Sequence, residues 1–84
     1  MLLTNEQREK LEKKYAMEMA KLCGEKVTAI LHNGNLIIEA SEIACLRIAY
    51  VYCKDAILVN YDQEIKQWFI VIYFWTDRCL RRKK

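Results

Sequence analysis

The sequence predicts an α+β protein of order helix-hairpin-helix-hairpin, αββαββ, with two helices on one face of a four-stranded, mainly antiparallel sheet. Three observations lead there. Asn33-Gly34 sits between two apolar runs, a strong signal for a tight hairpin. Residues 5–23 repeat their apolar side chains at helical spacing and end at a glycine. The eight residues from Trp68 to Trp75 are all apolar or aromatic, too few to cross a bilayer and rich in strand formers.

The first helix is expected from Asn5 to Cys23. Thr4 and Gln7 have the spacing of a capping box, each satisfying a backbone donor of the first turn. Leu11, Tyr15, Met19 and Leu22 form one stripe, flanked by Ala16 and Cys23, and Gly24 suits a left-handed C-cap. The opposite face carries Glu6 with Lys10 and Glu9 with Lys13, pairs one turn apart in the favourable order. That charged face reads as solvated.

Val27 to Ala40 forms the first hairpin. Asn33 and Gly34 both tolerate the positive φ of a type I′ turn, and a two-residue turn sets His32 against Asn35, Leu31 against Leu36 and Ile30 against Ile37. Period-two alternation then places Val27, Ala29, Leu31, Leu36, Ile38 and Ala40 on one face, where the helices should pack. Thr28, Ile30, His32, Asn35, Ile37 and Glu39 fall on the other.

Ser41 caps a second helix from Glu42 to about Cys53, with Ala44, Ile48, Val51 and Tyr52 at helical spacing. Its β-branched and aromatic content competes for a strand instead. A helix so apolar nearly all round is expected to be covered on more than one side. Lys54-Asp55 breaks the run. Ala56 to Tyr61 and Gln67 to Trp75 are the strands of a second hairpin, joined by Asp62-Gln63-Glu64-Ile65-Lys66.

An 84-residue chain makes one small domain with a thin core, here residues 1–76, followed by a basic tail, residues 77–84. Residues 1–76 carry nine Lys or Arg and ten Asp or Glu, a net of −1, whereas the tail carries five and one, a net of +4. The excess positive charge therefore belongs to Arg78, Arg81, Arg82, Lys83 and Lys84, a candidate phosphate contact and equally a solubilising end.

Cys23, Cys45, Cys53 and Cys79 have no zinc-site spacing, and no N-terminal basic and apolar leader is evident. A reduced, cytoplasmic setting is the expectation. The single histidine, His32, abuts the hairpin turn with Asn35 as its expected neighbour, so no acid or nucleophile stands beside it. Only two glycines, Gly24 and Gly34, are present, which excludes glycine-rich phosphate loops and dinucleotide fingerprints. No catalytic residue, metal ligand, cofactor or small-molecule substrate is expected, and no membrane span.

The aromatic strand carries the functional expectation. Trp68, Ile70, Ile72 and Phe74 alternate with Phe69, Val71, Tyr73 and Trp75, so the set left uncovered by the helices would join Ile30, Ile37 and Tyr61 in an outer apolar patch. Trp68, Phe69, Val71, Tyr73 and Trp75 are the candidate partner-binding residues. The reading is a non-enzymatic protein-protein interaction module, a homodimer or a binder of another protein, with phage-type inhibitors among such small chains. The alternative is a nucleic-acid binder using the basic tail.

Overall fold

A computed structural model describes residues 3–77. Its elements are α1 (Asn5–Cys23), β1 (Thr28–His32), β2 (Asn35–Ala40), α2 (Glu42–Val51), β3 (Ile57–Asp62) and β4 (Gln67–Ile72). Residues 75–77 enter a further helical turn. The four strands form one antiparallel sheet in the order β1-β2-β4-β3, so the hairpins meet through β2 and β4 while β1 and β3 are its edges.

The local chemistry explains the boundaries. Thr4 and Gln7 form the reciprocal capping box at 3.1 and 3.0 Å, and Gly24 closes α1 at φ 77°. Asn33 at φ 52° and Gly34 at φ 80° make the turn that fixes the β1–β2 register, with His32 opposite Asn35 and Ile30 opposite Ile37. The Ser41 hydroxyl accepts the Ala44 N–H at 3.1 Å and donates to the Glu25 carboxylate at 2.7 Å. A single side chain thus caps α2 and is held in place from the loop after α1.

Tyr15, Met19 and Cys23 of α1 and Ala44, Cys45 and Ile48 of α2 bury against Ala29, Leu31, Leu36, Ile38, Ile70 and Ile72 of the sheet. The inward residues are apolar throughout, and among the described residues no charged side chain is buried. Arg47 fastens the two helices by donating to the Cys23 carbonyl at 2.9 Å, satisfying one of the orphan acceptors at the end of α1.

Three expectations are corrected. The helix read as reaching Cys53 ends at Val51, with Tyr52 as its C-cap, because the segment to Asp55 turns toward the sheet. The second hairpin is displaced by one residue at β3, which runs from Ile57 to Asp62 and not from Ala56 to Tyr61. The strand read as reaching Trp75 ends at Ile72. Its termination is set by Phe74, whose φ of 58° is left-handed and incompatible with a strand. Asn35 Oδ1 accepts the Phe74 N–H at 2.9 Å and the Gly34 carbonyl accepts that of Thr76 at 3.0 Å, so the first hairpin's turn bends the chain leaving β4.

Candidate interaction surfaces

The bend after β4 divides the five aromatic and apolar residues expected to form one contact. Trp75 is rotated under the helices and is only 3% exposed, with its ring edge-on to Tyr15 at 5.2 Å and to Tyr52 at 5.6 Å. Phe74, of the set that alternates with Trp75, points into solvent and is 61% exposed. Trp68 lies opposite Ala40 and Tyr61, packs against the helix-side core and stacks obliquely on Tyr61 at 5.3 Å. Trp68, Trp75 and Tyr61 therefore leave the outer patch. Phe69, Val71 and Tyr73 remain, each at least half covered.

Cross-strand register builds the outer face from these. Ile30, Ile37, Val71 and Leu58 stand directly opposite one another on β1, β2, β4 and β3, giving an apolar row across the whole sheet. The next row reads Thr28, Glu39, Phe69 and Asn60. Val71 at the centre is 8% exposed although no helix among the described residues covers this side, so its neighbours shield it. Ile30 and Leu58, at the margins, are the more exposed members.

A second apolar surface lies on α2. The helix buries Ala44, Cys45 and Ile48, and its opposite side presents Ile43, Leu46, Tyr50 and Val51, all more than half exposed, with Tyr50 at 82%. Ile43, Leu46 and Tyr50 follow the i, i+3, i+7 spacing of one stripe. With Leu22 of α1 and Arg47 they line a shallow depression. These residues were not among the candidates taken from the sequence. Their signal was the apolar surplus of α2: one stripe suffices for the sheet, and α2 has two.

Among the described residues the groups able to do chemistry are dispersed. His32 Nε2 lies 3.2 Å from Asn33 Nδ2 at the exposed turn, and no group of three His, Cys, Asp or Glu able to hold a metal occurs among the described residues. Glu39 lies in the outer sheet row and Glu42 in the first turn of α2. Cys23, Cys45 and Cys53 are free thiols, and burial is the main cause that pushes the Cys45 thiol from an ordinary 9.0 to about 11. Among the described residues no helix is long and apolar enough to cross a membrane. The expected nucleic-acid contacts Arg78, Arg81, Arg82, Lys83 and Lys84, with Cys79, lie outside the described residues.

No family model matches the chain, and neither a search of curated proteins nor one of solved structures finds a similar protein.

Proposed function

We propose that the protein acts by occupying the surface of another protein, as a small non-enzymatic interaction module, with adaptors and inhibitors as the functional class. The observation that carries this reading is the outward stripe Ile43, Leu46 and Tyr50 on α2. Scattered apolar side chains are normal on a protein surface, but a contiguous stripe of large ones along a helix is the composition of an interface core. Hydrophobic burial drives the association, with Tyr50 as its aromatic anchor and Arg47 at the centre of the stripe.

The outer sheet face is the weaker surface because it covers its own centre at Val71. Phe69 and Tyr73 would extend a contact there rather than nucleate one. A partner fitting α2 presents an apolar groove of helix width, the arrangement by which amphipathic helices are recognised. A cytoplasmic location belongs to the same reading, because buried free thiols need no oxidising compartment.

The test uses tagged wild-type protein and the Leu46→Glu/Tyr50→Glu variant, expressed in the producing cell. A protein retained by the wild type and lost by the variant, and binding wild type directly when purified and titrated, is the expected result. Equal retention by both, with both folded, would remove α2 as the contact.

A further inference from the structure

We propose that the free edge of β3 joins two copies of the chain, antiparallel about Val59, merging their four-stranded sheets into one continuous sheet. The Tyr73 N–H donates to the Ala56 carbonyl at 2.9 Å, which makes Ala56 and Tyr73 a hydrogen-bonded pair of the β3–β4 ladder. Alternation then sets Leu58, Asn60 and Asp62 facing β4, and turns the N–H and C=O groups of Ile57, Val59 and Tyr61 toward the open edge. Among the described residues no strand pairs with that side.

The two edges of the sheet differ. On β1, the Leu31 N–H is taken by the Glu12 carboxylate at 2.8 Å, so α1 blocks the docking of another strand. On β3, the sequence Ile-Leu-Val-Asn-Tyr-Asp holds no Lys, Pro or Gly, the residues with which natural proteins blunt an edge. Among the described residues only the Tyr61 N–H is occupied, by its neighbour Asn60 Oδ1 at 2.8 Å, a local bond that can be exchanged for a ladder bond.

Charge selects a second copy as the occupant. The exposed Lys54 precedes β3 beside Asp55, whereas Asp62 ends it and the exposed Glu64 and Lys66 follow, which leaves the second end the more acidic. Antiparallel pairing about Val59 sets Val59 against Val59 and Ile57 against Tyr61 of the other copy, and places the turn carrying Lys54 at the same end of the pair as the turn carrying Glu64 of the other copy. Side chains agree with the same register. Val59 and Ile57 sit at the margin of the helix-side core and Leu58 at the margin of the outer row, so pairing continues both layers.

Light scattering across a wide concentration range, combined with amide exchange, tests the proposal. Wild type should rise to twice the mass of one chain and stop there, because a two-fold contact closes on itself, while the Ile57 and Val59 amides gain protection. Val59→Pro removes only an outward donor and should stay at the mass of one chain with an unchanged circular dichroism spectrum. Lys54→Glu should weaken the dimer about tenfold at low salt, and Lys54→Glu/Glu64→Lys should restore it; this swap decides the matter if the proline variant does not fold. Leu46→Glu/Tyr50→Glu should leave the dimer intact, which separates this edge from the α2 surface. Wild type at the mass of one chain throughout, growth beyond two chains, or a dimer indifferent to Val59→Pro or the charge swap would overturn it.

Discussion

Glu12 on α1 accepts the N–H of Leu31 on β1 at 2.8 Å, joining residues 19 positions apart in the chain. The carboxylate stands where another strand would place its carbonyl, so the helix both packs on β1 and seals its edge. Glu12→Ala should cost about 1.5 kcal/mol, the lower end for a hydrogen bond to a charged group. Leu31 should then exchange its amide proton faster in hydrogen-exchange NMR. Glu12→Gln keeps an acceptor and should recover most of both effects.

Trp75 and Phe74 are adjacent aromatic residues with opposite energetic roles. Trp75→Ala empties the space between Tyr15 and Tyr52 and should lower stability by roughly 3–5 kcal/mol in chemical denaturation, enough to unfold much of a small domain. Phe74→Gly should be neutral or stabilise by up to about 1 kcal/mol, because glycine adopts the φ of 58° without the clash that an L side chain meets. A large loss in the Phe74 variant would contradict the placement of that ring in solvent.

The thiols should separate by reactivity. Exposed Cys53 should react readily with a thiol reagent near neutral pH, while Cys45, held to about 11 by burial, should react only as the protein opens; a Cys79→Ser background keeps the readout to described residues. The raised value also fixes a pH dependence. The unfolded thiol loses its proton from about pH 9 and the folded one near 11, so the unfolded state binds fewer protons between them and stability falls. The unfolding free energy should be insensitive to Cys45 well below pH 9 and drop above it by up to roughly 2–3 kcal/mol, an effect read in chemical denaturation that Cys45→Ala should abolish.

The two sides of α2 make a paired test. Leu46→Glu and Tyr50→Glu should change stability by less than about 0.5 kcal/mol, as exposed substitutions do. Ile48→Ala, on the fully buried side, should cost about 2–4 kcal/mol. Comparable losses on both sides would mean that the outward stripe is covered in the folded monomer.

What the sequence disclosed follows from the range of each determinant. Thr4 with Gln7, Asn33 with Gly34 and Ser41 with Ala44 act within three residues, so the α1 cap, the first hairpin's register and the start of α2 were all readable. The end of β4 was not, because the groups that turn Phe74, the Asn35 side chain and the Gly34 carbonyl, lie some forty residues upstream. An unbroken apolar run gave no local stop, so Trp75 was assigned to the outer face and is in the core. The α2 stripe was visible as excess hydrophobicity, but deciding which apolar residues stay outside required knowing which side the sheet occupies.

The strand order carries a consequence for how the chain is made. β4 is the last of these four strands to be synthesised yet lies inside the sheet, between β2 and β3. While a ribosome is still adding residues beyond β3, the inner edge of β2 has no strand to pair with and the part of the helix undersides that packs on Ile70 and Ile72 stays open. The first hairpin and α1 can assemble early, but Trp75 must emerge before Tyr15, 60 positions behind it, meets its partner ring. Such long-range closure favours a folding step that follows translation of this segment rather than accompanying it. Nascent chains stalled before Gln67 would display β2 as a second open edge, a natural target for a chaperone.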